Sequence, residues 1–269
     1  MEIVILEEIK LKIQANALTI AGSDSCCGAG IQADLKTFAA HEVYGTSVIT
    51  NVTAQNTLGV NKIHNLPLDI IEAQIKSVFD DINISAVKVG MLNTAGTVEL
   101  VAKLLREYQP DFIVIDPVMI SSSGRRLLEH SAYEILVNEL FPLATLITPN
   151  IPEAAYILNV TEIEIQEDLT RSAEKLLSLG SQSALLKGGH LPGELCINTL
   201  THLSEIYQYP SPKISTNNTH GTGCTLASAV SANLANNLAM PKSVELAGHY
   251  LHQSILSAEH LNVGSGKGP

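Results

Sequence analysis

A glycine-rich segment with a cysteine lies near the C-terminal end of the chain. Residues 219–225 read Thr-His-Gly-Thr-Gly-Cys-Thr, and an apolar run typical of a helix follows them. A glycine turn that opens a helix directs several backbone N–H groups, and the positive end of the helix dipole, at one point. We therefore predict that Gly221, Thr222, Gly223 and Cys224 bind an anion, with the thiol pKa of Cys224 lowered by the helix start. A glycine-rich helix start with an inert cysteine is the alternative.

Other polar residues follow apolar segments that read as strands. Asp24, Asp116, Asn150 and Lys187 each come after such a segment, and Gln55 follows the second one. Ligands of open α/β sheets gather at the carboxyl ends of the strands. The repeated pattern therefore predicts one shared cleft. Asp34, on the first predicted helix, is a candidate acceptor for a polar small molecule or an ordinary acid that complements the helix dipole.

The segment Asn150-Ile151-Pro152-Glu153 allows two interpretations. Asn150 and Glu153 have the spacing of a capping box, with a proline early in the first helical turn. The same oxygens, with Asp116 nearby, suit a hydrated Mg²⁺ ion. Lys187 ends a buried strand and precedes two glycines, which favours a phosphate contact over a solvated surface charge.

Composition limits the classes of protein. The chain has 269 residues, 45% of them hydrophobic, and a formal net charge of −11. That charge disfavours nucleic acid and anionic membranes as partners. The four cysteines lack zinc-cluster spacing, and the adjacent Cys26 and Cys27 make a poor disulfide pair, so we expect a reduced, cytoplasmic protein. Neither a signal peptide nor a membrane-spanning run is predicted.

Apolar periodicity predicts strands that alternate with helices, as in a mostly parallel sheet covered by helices on both faces. We expect a residue 1–15 extension and a single domain over 16–269. Predicted strands cover 17–21, 47–52, 86–89, 112–115, 146–148, 184–186, 194–201 and 205–209, the last two as a hairpin. Predicted helices begin near residue 31 and cover 68–79, 97–107, 132–140, 152–158, 166–179, 223–236 and 241–260.

Eight blocks, taken together, resemble one known family. The chain is similar, from about residue 16 to its end, to the bacterial hydroxymethylpyrimidine/phosphomethylpyrimidine kinases of thiamine synthesis, in the ribokinase-like superfamily. The blocks are Ala17-Leu-Thr-Ile-Ala-Gly-Ser-Asp24, Gly28-Ala-Gly-Ile-Gln-Ala-Asp-Leu-Lys36, Thr53-Ala-Gln-Asn56, Lys88-Val-Gly-Met-Leu92, Ile115-Asp-Pro-Val-Met119, Thr148-Pro-Asn-Ile-Pro-Glu-Ala154, Lys187-Gly-Gly-His190 and Thr219-His-Gly-Thr-Gly-Cys-Thr225.

The resemblance implies a three-layer α/β/α fold and the use of ATP and Mg²⁺. It implies phosphorylation of 4-amino-5-hydroxymethyl-2-methylpyrimidine and then of its monophosphate, and it implies a homodimer. The implied pyrimidine pocket is lined by Gly22, Asp34, Gln55, Met91 and Val118. Asn150, Glu153 and Asp116 would serve Mg²⁺ and the phosphates, Lys187 and Thr219 the nucleotide, and Gly221–Cys224 the anion hole, with Cys224 as the residue that accepts the alcohol proton.

The first glycine loop, residues 22–30, departs from the family pattern, since Cys26 and Cys27 replace a serine and a glycine there. If position 27 requires a positive φ, a cysteine at that position is strained. We interpret the change as a tolerated local substitution.

Three alternative functions remain open. A pyridoxal or pyridoxamine kinase of the same superfamily also acts on a ring with a hydroxymethyl group, although Gln55 favours the aminopyrimidine because an amide both donates and accepts. A cysteine hydrolase would use Cys224 with His220, four positions apart. A non-catalytic pyrimidine-binding regulator is the third, and the full set of phosphate-site residues argues against it.

Overall fold

The computed structural model describes residues 15–120 and 127–268. Its strands are β1 Asn16–Asp24, β2 Tyr44–Asn56, β3 Gly59–Asn65, β4 Ala86–Val89, β5 Phe112–Ile115, β6 Leu146–Ile147, β7 Ser183–Leu186, β8 Leu195–His202 and β9 Glu205–Pro212. Its helices are α1 Gly30–Ala40, α2 Leu68–Phe79, α3 Ala95–Tyr108, α4 His130–Ile135, α5 Ile151–Leu158, α6 Glu162–Glu167, α7 Leu169–Leu177, α8 Thr222–Ala235 and α9 Met240–Ala258. None of the helices in these two ranges is long and apolar enough to cross a bilayer.

The strands form one sheet in the order β3-β2-β1-β4-β5-β6-β7-β8-β9. The pairs from β2 to β7 are parallel, and β3, β8 and β9 add antiparallel edges. Helices α2, α3, α5 and α7 pack on one face, and α1, α8 and α9 pack on the other. The predicted α/β architecture is confirmed.

Strand β4 shows how side-chain alternation assigns residues to the two layers. Val87 and Val89 belong to the core beneath α2 and α3, whereas Ala86 belongs to the core beneath α1 and α8. Side chains alternate between faces along a strand. Lys88 therefore faces the α1 and α8 layer, although it is fully buried.

Three elements differ from the sequence prediction. Strand β3 was not predicted, because its side chains are half-buried or exposed and give no core pattern. The helix predicted over 166–179 is interrupted at Asp168, whose side chain caps α7 by accepting from the N–H of Arg171 over 2.9 Å. The helix predicted over 132–140 is α4 followed by a π-helical turn, Leu136–Leu140, and by a short 3₁₀ helix, Phe141–Leu143. The other predicted elements are present, three of them with the predicted ends and the rest with shifted ends.

The proposed division of the chain into an extension and one domain stays a prediction. Residues 1–14, to which most of the extension belongs, lie outside the described residues.

Candidate active site

A cavity of about 1150 Å³ opens at the carboxyl ends of the parallel strands. With the exception of Asp34, it brings together the residues that the sequence assigned to the site. These are Gly22, Gln55, Met91, Val118, Asp116, Asn150, Glu153, Lys187, Thr219, Gly221, Thr222, Gly223 and Cys224. Their contacts with a substrate or a nucleotide stay predictions.

The turn before α8 has the backbone that the glycine motif predicts. Gly221 is the N-cap, with φ of 83°, and a Cβ at this position would lie 1.7 Å from the carbonyl oxygen of Gly28. A Cβ at position 223 would lie 3.3 Å from Nζ of Lys187 and 3.5 Å from Oδ2 of Asp116. The two glycines thus allow the helix start to approach the first glycine loop and the charged groups at the ends of β5 and β7.

Cys224 lies in the first turn of α8 and contributes to the cavity wall. Burial, above all, raises the pKa of its thiol to about 11. Lys88 and the N–H of Gly30 lower this pKa, whereas Asp34 raises it. The predicted lowering of the thiol pKa is therefore wrong here, because removal of the thiolate from water outweighs the cation and the N–H donor.

Asp116 and Lys187 form an ion pair inside the cavity. Nζ of Lys187 donates to Oδ1 of Asp116 over 2.6 Å, and the hydroxyl of Thr148 donates to the same oxygen over 3.1 Å. The side chain of Lys187 is 12% exposed and that of Asp116 is 3% exposed. Burial lowers the pKa of Lys187, but Asp116 and Glu153 outweigh it and the net shift is upward. Lys187 therefore remains protonated and presents a positive charge inside the cavity.

Asn150 and Glu153 form the capping box at the start of α5. Oδ1 of Asn150 accepts from the N–H of Glu153 over 2.9 Å, and Oε2 of Glu153 accepts from the N–H of Asn150 over 2.8 Å. Burial raises the pKa of Glu153 to about 7, which Lys187 opposes and Asp116 reinforces. Capping is thus present, and it places both side chains in the cavity wall beside Asp116.

A preformed metal cluster is a separate question. Among the described residues, no three His, Cys, Asp or Glu side chains are grouped as metal ligands. The cavity nevertheless offers two neighbouring carboxylates, Asp116 and Glu153, and the amide of Asn150. These are the hard oxygen donors that Mg²⁺ uses when it retains several waters.

Asp34 lies outside the cavity wall, and its predicted contact with the pyrimidine stays a prediction. Its side chain is fully buried, and Nζ of Lys88 contacts both of its oxygens at 2.9 Å. The hydroxyls of Thr19 and Ser228 donate to Asp34 over 2.6 and 2.7 Å. These donors occupy both oxygens of Asp34. The carboxylate therefore holds the ammonium group of Lys88, and Lys88 does line the cavity.

Sequence reasoning did not assign Asp24 a role beyond its place at the end of β1. Its carboxylate accepts from the N–H groups of Cys26, Gly28 and Ala29 at 2.8, 3.2 and 2.9 Å, and from Nε2 of His220 at 2.8 Å. Burial raises the pKa of Asp24, but these donors, His220 first among them, lower it on balance. Asp24 therefore fastens the first glycine loop to the segment that precedes α8.

His220 contacts both Gln55 and Asp24. Nε2 of His220 lies 3.0 Å from Nε2 of Gln55, and it already donates to Asp24. This arrangement leaves His220 engaged with Asp24 and Gln55 rather than with Cys224, so the geometry gives no support to a cysteine hydrolase.

Two further lysines were missed by sequence reasoning because they are far apart in the chain. Lys213, after β9, and Lys267, near the C-terminus, line the cavity with Lys187 and His190. Burial lowers the pKa of His190, and all three lysines lower it further, while Glu162 opposes them. The N–H of Lys267 donates to the carbonyl of Thr57 over 2.9 Å, and Gly268 accepts from the N–H of His220 over 2.9 Å. Positive charge thus gathers at one end of the cavity.

Comparison with known proteins identifies the family. A model of the phosphomethylpyrimidine kinase family matches residues 24–269. A hydroxymethylpyrimidine/phosphomethylpyrimidine kinase of Rhizobium meliloti is 43% identical over 255 residues, which cover 95% of this chain and 96% of the relative. The fold is thus that of a class of small-molecule kinases, and the chain belongs to the phosphomethylpyrimidine kinase family.

Solved structures place the fold within the same group. A crystal structure of phosphomethylpyrimidine kinase from Clostridium difficile 630 matches with a TM-score of 0.79 and 43% identity, covering 90% of this chain and all of that one (100%). A pyridoxal kinase from Staphylococcus aureus, in complex with AMP-PCP and pyridoxal, matches with a TM-score of 0.85 and 29% identity over 95% of both chains. The two kinds of kinase share this fold, and the pyrimidine kinase is the more similar of these two in sequence.

Proposed function

We propose that this protein is an ATP- and Mg²⁺-dependent kinase that phosphorylates 4-amino-5-hydroxymethyl-2-methylpyrimidine and then its monophosphate. The observation that supports this proposal is a single cavity in which the α8 turn, the Asp116–Lys187 pair and Gln55 meet. Family membership and the named relatives supply the substrate class.

The two ends of the cavity suggest separate roles. Gln55, Met91, Val118 and Gly22 would hold the pyrimidine, with the amide of Gln55 on the ring edge. The nucleotide would lie toward Thr219 and the three lysines, Lys187, Lys213 and Lys267. The N–H groups at the start of α8 would bind the phosphoryl group between these two ends.

Mg²⁺ fits the oxygen donors that the cavity presents. Asp116 raises the pKa of Glu153 and Lys187 lowers it, so the two carboxylates repel each other and the lysine offsets part of that repulsion. A divalent ion held by Asp116, Glu153 and Asn150 would relieve that repulsion and, when bound, would neutralise phosphate charge.

The chain's own contribution to the reaction is positioning and fixed charge. Phosphoryl transfer depends mainly on alignment of the reacting oxygens and on neutralisation of the phosphoryl charge. Lys187 supplies a cation beside Gly223, and the glycine turn supplies N–H donors. Cys224 is a neutral thiol at pH 7, since burial raises its pKa to about 11, so proton acceptance by Cys224 would require a ligand that lowers this pKa.

Pyridoxal kinase activity is the second candidate, and the structural match to the Staphylococcus aureus pyridoxal kinase favours testing it. An ATP-consumption assay with the pyrimidine alcohol, its monophosphate and pyridoxal in parallel separates the two. We expect turnover of both pyrimidines and a lower kcat/KM for pyridoxal. Turnover of pyridoxal alone would overturn the proposal, as would ligand binding without ATP consumption.

We also propose a cytoplasmic homodimer. The four free cysteines suit a reducing compartment. Light scattering of the purified protein tests the oligomeric state, and a monomeric mass at micromolar concentration would contradict it.

A further inference from the structure

Helices α1 and α8 pack in a matched register above the sheet. The N–H of Gly30 lowers the pKa of the Cys224 thiol, so the two helix starts face each other there, and one turn further along each helix the hydroxyl of Ser228 donates to Asp34 over 2.7 Å. Residues four apart lie on one face of a helix. Asp34 and Ser228 therefore meet one helical turn beyond the place where Gly30 faces Cys224.

The sheet supplies the cation that pairs with Asp34. Thr19 and Lys88 are paired positions on the neighbouring parallel strands β1 and β4, and both donate to Asp34. Nζ of Lys88 has a confined place, since a Cβ at Gly90 would lie 2.9 Å from it. Lys88 is fully buried and still contributes to the floor of the cavity.

A buried lysine normally loses its proton, because burial penalises the charged form. Burial does lower the pKa of Lys88, but Asp34, followed by Cys224 and Asp116, outweighs it and raises the pKa above the ordinary value. These are the charged and titratable groups that face Lys88 from α1, from α8 and from the end of β5. Among them Asp34 alone makes a direct ion pair with Lys88 in the described residues, so Asp34 keeps Lys88 charged at neutral pH.

We propose that Asp34 is a positioning residue: it fixes Lys88 as a cation beneath the α8 turn, where the lysine charge stabilises the negative charge that gathers during phosphoryl transfer. The inference rests on the proposed function, since it assigns a role in that reaction. It goes beyond the expected site residues, because it gives Asp34 the task of holding a cation rather than of binding the substrate. A charge that is already fixed in place requires no reorganisation when the reaction occurs.

Asp34→Asn tests the idea through pH. Without the carboxylate, Lys88 has lost its ion-pair partner and burial favours the neutral amine. We expect kcat at pH 8.5 to fall by roughly 10-fold or more, as for loss of one preorganised charge contact, and to recover in part as pH is lowered toward 6. The KM for ATP should change far less than kcat. A loss of kcat that is the same at every pH, or no loss at all, would overturn the proposal.

The neutral pair Asp34→Asn with Lys88→Met separates charge from packing, since it leaves no unpaired ion. We expect this double variant to keep a Tm near that of the wild-type protein and to keep the low kcat at every pH. Wild-type kcat in a folded double variant would contradict the proposal. Ser231→Ala is the matched control, because it removes a buried hydroxyl from the same helix without contact to Asp34. Its kcat should match the wild type. Absence of activity in the wild-type protein would instead refute the proposed function.

Discussion

Asp24 and His220 are 196 positions apart in the chain, and Nε2 of His220 donates to Oδ2 of Asp24 over 2.8 Å. The same carboxylate accepts three N–H groups of the first glycine loop. A side chain at the end of β1 thereby joins the loop that precedes α1 to the segment that precedes α8. The two helices that frame the cavity are tied at their N-terminal ends.

Asp24→Asn should destabilise the protein by about 1–3 kcal/mol, because an amide is a weaker acceptor and presents a donor to groups that donate. The lowered pKa of Asp24 gives a sign to the pH effect. Stability from this group is present above its ordinary pKa of 3.8 and is lost as pH falls through the lower folded value. Urea unfolding between pH 3 and 7 measures the difference. Equal stability of the variant and the wild type at pH 7 would contradict the role.

Cys27 has φ of 63°. The sequence analysis expected a strained cysteine if position 27 required a positive φ, and the structure shows that positive φ. Replacement by glycine should stabilise the protein by about 0.5–1 kcal/mol, since the left-handed region costs an L-residue more than glycine loses in chain entropy. Cys27→Ala keeps the Cβ and should leave stability unchanged. Urea unfolding of the three proteins measures this, and a destabilised Cys27→Gly variant would contradict the interpretation.

Cys224→Ala should reduce the rate with the alcohol more than the rate with the monophosphate. An alcohol must lose its proton, whereas a phosphate oxygen needs little help from a base. If the bound ligands lower the thiol pKa so that Cys224 accepts this proton, the loss for the alcohol should be roughly 10²-fold, the lower end of a general base contribution, and the loss for the monophosphate much smaller. Steady-state kinetics with each substrate provides the measurement. Equal losses would show that the thiol is not involved in proton transfer.

Glu153 links pH to cation binding. Because its folded pKa of about 7 lies above the ordinary 4.5, it subtracts stability progressively as pH rises from 4.5 to about 7. Glu153→Gln keeps the capping-box geometry and removes the charge. The variant should therefore lose less Tm than the wild type between pH 5 and 8.

Stabilisation of the protein by Mg²⁺ should also depend on the ionisation of Glu153. The ion should raise the Tm of the nucleotide-bound wild type more at pH 8 than at pH 6, since it binds the ionised carboxylate. This difference should vanish in Glu153→Gln. A thermal melt with and without Mg²⁺ at the two pH values tests it, and a pH-independent shift in the wild type would exclude Glu153 as a ligand.

Lys267 should contribute to nucleotide binding from the C-terminal segment. Lys267→Gln is expected to raise the KM for ATP roughly 3- to 10-fold, in the range of a partly exposed charge contact, with the pyrimidine KM unchanged. Lys175→Gln, on α7 and outside the cavity lining, is the matched control. A raised pyrimidine KM without a change for ATP would contradict the assignment.

Much of the fold could be predicted because buried strands and amphipathic helices leave a local pattern. Ala86–Val89, Phe112–Ile115 and Leu68–Phe79 were predicted with the ends that the structure shows. Strand β3 carries no such pattern, since it pairs by backbone hydrogen bonds at an exposed edge. Its existence depends on its partner strand rather than on its own residues.

The sequence by itself determined the order of the glycine turns and of the polar residues at strand ends, because these depend on local backbone geometry. It also sufficed to indicate the family. Only the tertiary structure decided that Asp34 pairs with Lys88, that Asp24 holds His220, and that burial raises rather than lowers the thiol pKa of Cys224. The physical reason is that charge, burial and hydrogen-bond partners depend on groups distant in the chain, and no local pattern records them.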